Sequence, residues 1–352
     1  MKDKLYVITL EPIEKRYTKQ WYKFWKEEFS KYYQVFYIDG YPEGVKFSDK
    51  IESGRFLDIN MTNVWKAEQV KKAALLFNKK KIKEGDTFIF MDAWHFGITA
   101  IRYMAQLAGI KIKMFGYWHA GTYDHADFVA QAGLGWWAAH NELAWFKALD
   151  GNFVATQFHK QLILETFQDC NIKQRVHVVG FPLDWKKYIF NELGKGWRLP
   201  AKENLVVFPH RLDKEKCPQV FDSIAKVLPQ YVFTKTLDVT KSKKEYYQLL
   251  AKSKVVFSAS KQETFGIGTV EAMMLGAIPI VPNTLSYVEL YDDQFKYSDI
   301  NTARRKIQYV MNHYKDSKRL MVKLRNNKAK IQRLSTEAIP NMVQIMRRKD
   351  GR

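Results

Sequence analysis

The chain has 352 residues, 46% hydrophobic and 27% charged, which is apolar material enough for two cores of ordinary domain size. Two cysteines, Cys170 and Cys217, exclude a disulfide framework or a cysteine-based metal cluster, and the lack of an apolar run of about 18 residues excludes a helical membrane span. The formal net charge of +20 points to a polyanionic partner, nucleic acid or an acidic membrane surface; the competing reading is solubility alone.

The first residues lead straight into an apolar run, 5–10. No signal peptide is read there, so a soluble protein of a reducing compartment, the cytoplasm, is expected. The loop that follows holds no glycine. Glu11, Arg16 and Thr18 instead put charged and hydrogen-bonding groups at a carboxyl strand end. A helix over 17–33 carries Trp21, Phe24, Trp25, Phe29 and Tyr32 at spacings of a core-facing stripe. The competing reading is an aromatic and basic membrane face. Further strands are expected over 34–38, 87–91, 110–115, 152–155 and 175–179, with a helix over 157–168. Alternation of this kind predicts parallel sheets wound with helices.

Two of these strand ends carry chemistry. The strand over 87–91 runs into Asp92, Trp94 and His95, and the strand over 110–115 into Trp118-His119-Ala-Gly-Thr-Tyr-Asp124. Of the two histidines, His119 in its Trp-His-Ala-Gly turn is the better candidate and His95 the competitor. Asp92 and Asp124 read either as partners of an acceptor hydroxyl or as helix N-caps. Trp94 and Trp118 either stack on a base or sugar or pack. The turn formers over 191–200 mark the expected domain boundary.

Beyond it, a buried-strand pattern over 204–208 precedes Pro209-His-Arg211-Leu-Asp-Lys-Glu-Lys216. Arg211 can fork onto phosphate oxygens and Lys216 supplies a point charge, unless the pair is merely a solvated face. The apolar run 254–257 then leads into Ser260-Lys-Gln-Glu263-Thr-Phe-Gly266-Ile-Gly-Thr-Val-Glu271-Ala and a helix closed by Gly276. A helix opening after a glycine turn offers free N–H groups and a positive dipole end to a diphosphate. Glu271, in its first turns, cannot bind phosphate and should hold hydroxyls; a sugar nucleotide supplies both. The alternative is one surface carboxylate before a helix and one capping it. From residue 301 to the end there are 15 Lys and Arg against Asp316, Glu337 and Asp350, a charge of +12 that leaves +8 for the first 300 residues. Ile307, Val310, Met311, Tyr314, Met321 and Leu324 give this tail one packing face and one basic face.

The stretch around Glu263 and Glu271 resembles the Glu-x7-Glu signature of the retaining family 4 glycosyltransferases; Ser260, Glu263, Phe265, Gly266, Glu271 and Ala272 match it, with Thr264 for a usual Gly and Gly268 for a usual Pro. The segment from Arg211 to Lys216 resembles the family's Gly-Arg-Leu-x-x-x-Lys, with His210 for the Gly and Cys217 where Gly is common. The resemblance implies a GT-B fold, α/β throughout, of two Rossmann-like doubly wound domains facing a cleft. It places an acceptor-side domain over 1–190, a nucleotide-sugar domain over 200–325, and a basic C-terminal helix over 326–352 that crosses back to the first domain. It also implies roles. Arg211 and Lys216 grip the donor diphosphate, Glu263 the sugar hydroxyls and Glu271 the ribose. Thr264, Phe265, Gly266 and Ile267 line the sugar and diphosphate, and His119 orients the donor sugar or the acceptor hydroxyl. No metal is required, and a UDP-sugar is the expected donor. Glu11, Arg16, Asp92, Trp94 and Asp124 are the acceptor-side candidates.

The opening of the chain and the turn at His119 resemble a phage-associated branch, some of whose members glycosylate hydroxymethylated pyrimidines in DNA. DNA is therefore the expected acceptor partner, of a monomer in the cytoplasm, the host's if phage-encoded. The rival is a membrane lipid or surface polysaccharide reached through an anionic membrane. A third class, a non-catalytic nucleic-acid-binding protein, leaves the donor motifs unexplained.

Overall fold

A computed structural model describes residues 2–14, 16–44 and 58–348. Lys15 of the first loop and residues 349–352 of the basic tail lie outside the described residues. The chain forms two compact units, Met1–Pro182 with Glu337–Arg352, and Leu183–Thr336.

In the first unit six strands, β1 (Lys4–Ile8), β2 (Gln34–Ile38), β3 (Thr87–Phe90), β4 (Lys113–Tyr117), β5 (Gly151–Val154) and β6 (Val176–Val178), form one parallel sheet. The order is β2-β1-β3-β4-β5-β6. Strands β3 and β5 are buried along their whole length, as parallel strands covered by helices on both faces must be. The chain adds β2 on one side of β1 and then crosses to β3 on the other. That reversal makes a switch point between β1 and β3, and open α/β sheets bind ligands outside the strand ends there.

The helix after β1, Tyr17–Phe29, buries Trp21, Phe24, Trp25 and Phe29. Its last expected turn is a non-helical reverse turn, in which Tyr33 rather than Tyr32 is buried. Strand β4 also lies later than the apolar run suggests. Residues 110–112 lie between a turn at 108–109 and the strand, with Ile110 N bonded to Ala105 O and Gly85 N to Lys111 O. The C-terminal helix Ala338–Met346 belongs to this unit and buries Ile339, Met342, Val343 and Met346.

The second unit opens with the helix Trp185–Leu193, so the turn formers over 191–200 follow an element that already belongs to it. Its strands β7 (Glu203–Phe208), β8 (Val232–Lys235), β9 (Ser253–Phe257), β10 (Ile278–Pro282) and β11 (Lys296–Tyr297) lie parallel in the order β11-β10-β9-β7-β8. Here too the order reverses, between β7 and β9, and the loops after those two strands meet at the switch point. Helices Ile300–His313 and Lys318–Thr336 bury one stripe each, Ile307, Val310 and Met311 in the first, Leu320, Leu324 and Ile331 in the second. No helix among the described residues is long and apolar enough to cross a membrane.

Trp118, at the end of β4, is fully buried. Its ring stacks on Phe146 at 3.8 Å and its Nε1 donates to Asn152 Oδ1 at 2.8 Å. Trp118→Ala removes the ring and orphans the Asn152 carbonyl, and is expected to cost about 3–5 kcal/mol. Trp118→Phe should cost markedly less. Urea unfolding of the two variants checks the order.

Candidate active site

In the second unit the loop after β7 turns through His210 and Arg211 into a short 3₁₀ turn, Lys214–Lys216. Cys217 closes it with φ at 52°, the left-handed region that glycine enters without strain. The loop after β9 lies against it. Lys261 N donates to Glu215 O at 2.8 Å, and the buried Lys216 Nζ donates to Gln262 O at 2.6 Å and to Glu263 Oε1 at 3.0 Å. His210 Nδ1 stands 3.5 Å from the same carboxylate oxygen. Burial alone would raise the Glu263 carboxyl, but Lys216 and then His210 outweigh it and hold it down at about 2. His210 itself is 6% exposed, and its Nε2 has no hydrogen-bond partner among the described residues.

Arg211, next to His210 in the chain, has carboxylate partners of its own. Its guanidinium pairs with Asp213 and, at 3.2 Å, with Glu215, and it is partly exposed. Thr264 is half-buried. Phe265 is buried, its ring parallel to that of Trp185 at 6.1 Å, so its side chain anchors the loop and its backbone is what remains for a ligand. Gly266 has φ at 80°, and a Cβ there would lie 2.8 Å from the Tyr287 ring. The helix Ile267–Met274 starts at the next residue without a side-chain cap, so its first N–H groups are available to an anion. Gly268, in place of the resembled family's Pro, lets the helix approach Pro209: a Cβ would stand 2.9 Å from the Pro209 carbonyl oxygen. Glu271 is 2% exposed, and its two oxygens accept from Lys243 at 2.6 Å, Tyr247 at 2.8 Å and Tyr246 at 2.9 Å.

In the first unit the ends of β1, β3 and β4 gather the other candidates. His119 Nε2 donates to Met91 O at 3.0 Å, which fixes the tautomer, so Nδ1 accepts from Tyr17 OH at 3.2 Å. Burial holds its imidazole below the ordinary value. His95 is an interior strut: Gly97 N donates to Nδ1 at 2.8 Å, and Nε2 donates to Gln69 Oε1 at 3.1 Å. Gln69 in turn donates to Thr9 O and Ile38 O, tying β1 to β2. Asp92 accepts from Trp94 N and Asp124 from Ala126 N, both within turns. Neither caps a helix. Trp94 is half-buried, its Nε1 bonded to Glu142 and the Lys66 ammonium 5.3 Å from its ring. Glu11 is 6% exposed, and Arg16 lies over the Tyr17 ring at 6.0 Å.

The fold is that of the GT-B glycosyltransferases. A sucrose-phosphate synthase from Thermosynechococcus elongatus superposes with a TM-score of 0.64 at 15% identity, over 98% of each chain. An alpha-glucosyltransferase solved with UDP-glucose and DNA containing an abasic site superposes with a TM-score of 0.58 at 13% identity, over 99% of this chain and 100% of that one. Among curated proteins, the tRNA-queuosine alpha-mannosyltransferase of Drosophila melanogaster is 25% identical over 167 residues. That match spans 39% of this chain and 44% of the relative. No protein-family model matches the chain.

In this GT-B frame four further residues matter that the sequence reading passed over. Glu142, wholly buried, accepts from Trp94 Nε1, Thr122 N and Thr122 Oγ1 and so shapes the turn after His119. Lys243, Tyr246 and Tyr247 surround Glu271; the run Lys243-Lys-Glu-Tyr-Tyr was a visible signal without a partner to read it against.

Because the folded-state pKa of Glu263 is depressed, its ion pair stabilises the protein above the ordinary glutamate range and loses that contribution as pH falls toward 2. Glu263→Gln leaves Lys216 charged, buried and without its anion, at a cost of about 3–5 kcal/mol near neutral pH. The gap between parent and variant should narrow steadily below pH 4.5. Urea midpoints measured from pH 7 down to pH 3.5 give the test; a gap constant with pH would show that the pair contributes nothing.

Proposed function

We propose that this protein transfers a sugar from a nucleoside-diphosphate sugar to a hydroxyl on a nucleic acid. The observation that carries the donor half is the pair of the buried Lys216 with the partly buried Glu263 beside an uncapped helix N-terminus, at the switch point of a GT-B nucleotide-type sheet. In this reading Lys216, Arg211 and the amides of Gly266 and Ile267 take the diphosphate and stabilise the negative charge that grows on it as the glycosidic bond breaks. Arg211 exchanges Asp213 and Glu215 for phosphate. Glu263 accepts from sugar hydroxyls. Glu271 accepts from the ribose, whose hydroxyls join or replace Tyr246 and Lys243. Stereochemistry is retained, as in the resembled family. His119, fixed in one tautomer, orients the reacting sugar or acceptor, and Glu11, Arg16, Asp92, Trp94 and Asp124 serve the acceptor side. The domains act as acceptor side first and donor side second.

The acceptor half rests on charge and on likeness. The net charge is +20, and the helix Lys318–Thr336 carries seven Lys and Arg and no acid. The structural neighbour was solved with DNA, and the curated relative is a tRNA mannosyltransferase. A hydroxymethylated pyrimidine in DNA is the reading we favour; the relative's match makes a modified tRNA base the second. A lipid or polysaccharide acceptor fits the basic helix as well, but neither likeness supports it.

Two experiments test the halves separately. Glu271→Ala should weaken UDP binding by about 1–3 kcal/mol. His119→Ala should leave UDP affinity within a factor of three while lowering turnover more than tenfold. Equal UDP affinity in Glu271→Ala and parent would remove the ribose assignment.

For the acceptor, UDP-, GDP- and ADP-sugars are screened by mass against DNA with hydroxymethylcytosine or hydroxymethyluracil, plain DNA, bulk tRNA and anionic vesicles. Transfer only to the modified DNA is expected, with DNA affinity falling on a log–log salt slope of about −0.9 per phosphate contacted. Lys306 is held by the Gln294 and Asp293 carbonyls, so charge reversal is better placed at the exposed Lys318, Arg319 and Arg325. That triple Glu variant should lose DNA affinity and keep UDP affinity. Vesicle binding with transfer to no nucleic acid would defeat the acceptor reading.

A further inference from the structure

His210 is the part of the donor loop that the reading above leaves without work. The ring lies at the end of β7, its edge against Phe208 at 4.9 Å. One nitrogen, Nδ1, is 3.5 Å from Glu263 Oε1, and the other, Nε2, is buried and has no partner among the described residues. Interior polar atoms are almost always paired, and one left over next to a candidate anion site signals that its partner arrives with a ligand. The charged groups around the ring are Glu263, Lys216 and Arg211. Burial keeps the imidazole below its ordinary value; Glu263 pulls it up, and Lys216 and Arg211 push it further down. In the ligand-free protein at neutral pH the ring is therefore uncharged. With the ionised Glu263 beside Nδ1–H, its lone pair is on Nε2.

We propose that His210 is a third cation of the donor site: when a nucleoside diphosphate seats on the loop after β7, the ring takes one proton from solvent on Nε2 and donates it in a hydrogen bond to a diphosphate oxygen, while Nδ1–H stays on Glu263. The diphosphate screens the repulsion from Lys216 and Arg211 and adds an anion on the far side of the ring, so both changes favour the imidazolium. The resulting contact is charge-assisted, and it couples donor affinity to pH. This inference rests on the donor-site reading.

The test uses the full chain, with UDP, ADP and GDP as probes. Calorimetry in two buffers of different ionisation heat at pH 6.5 counts the protons taken up per nucleotide. His210→Gln keeps an N–H near the place of Nε2 but cannot titrate. The parent is expected to take up as much as one proton more than His210→Gln. Its affinity should fall more steeply from pH 6 to pH 8, by up to tenfold more per unit. The nucleotide's own phosphate titrates alike with both proteins, so the difference isolates the ring. His210→Ala should lose about tenfold in affinity at pH 6. Equal proton counts and equal pH slopes in parent and His210→Gln would overturn this inference and leave the donor site standing. Failure of all three nucleotides to bind the parent would overturn both. Should His210→Gln not fold, nitrogen NMR of the parent decides the matter: the Nε2 resonance moves to the protonated position on UDP binding, or it stays and the proposal falls.

Discussion

The contact between Lys216 and Glu263 is the constraint on which the candidate donor site depends. Bringing an ammonium and a carboxylate out of water costs several kcal/mol per ion, and their attraction offsets this only when the remaining hydrogen-bonding capacity is met. Here Lys216 meets it with the Gln262 carbonyl and side chain, and Glu263 gains Ser260 Oγ at 3.5 Å and His210. Such a pair contributes less to net stability than to position. It joins loops that are 47 residues apart in sequence, and it requires β7 and β9 to be neighbours. The sheet order, the two loop conformations and the ion pair are one arrangement seen at three scales.

The surrounding packing makes that arrangement stiff. Tyr287 OH meets Ser258 Oγ at 2.9 Å and its ring closes over Gly266, while Tyr297 OH donates to Ser258 O at 2.8 Å. Phe265 against Trp185 pins the middle of the loop, and Gly268 admits Pro209. Groups aimed at a developing charge act best when they need no reorganisation at the moment of reaction. The first unit adds buried polar networks to its ion pairs, Lys66 with Asp92 and Arg102 with Asp150. Glu142 is pushed up by burial and is held by Thr122 and Trp94, and Gln69 with His95 stitches β1, β2 and the start of helix Gly97–Leu107 together.

Much of this was legible in the sequence because parallel strands buried on both faces read as continuous apolar runs. Runs such as Leu205-Val-Val-Phe208 and Val255-Val-Phe257 leave little choice. Strand β8 escaped for the opposite reason: it is an edge strand, mostly half-exposed, and its four residues carry no such run. Strand β4 begins later than its apolar run because Ile110 and Ile112 join the hydrophobic core from the segment before the strand. The candidate donor residues were legible as a pattern, since Arg211, Lys216, Glu263 and Glu271 stand at fixed spacings. What spacing could not convey is which of them touch. Lys216, at the end of the 3₁₀ turn, pairs with Glu263, and Arg211, before it, with Asp213 and Glu215. His210 and the tyrosines around Glu271 could not be assigned to a site from the sequence because each acquires meaning only from a neighbour 24 to 53 positions away.

The basic helix Lys318–Thr336 presents the remaining tension. Arg319 and Lys323, Arg325 and Lys328, and Lys330 and Arg333 stand three or four apart on the helix surface, where like charges destabilise by about 0.2–0.5 kcal/mol a pair. Some of this is relieved within the unit: Lys323 pairs with Asp292 at 2.7 Å, Lys330 reaches the Glu289 carbonyl, and burial, with Lys186 nearby, lowers the Lys328 ammonium. Arg319, Arg325 and Lys318 remain exposed on the same helix. Repulsion of this kind is screened beyond about 8 Å at physiological salt, so it stays a local cost of the helix and does not threaten the fold. A polyanion laid along the helix would turn the same spacing from a cost into a set of phosphate contacts. In the proposed reading the helix therefore gives up a little stability when free and recovers it when nucleic acid is bound.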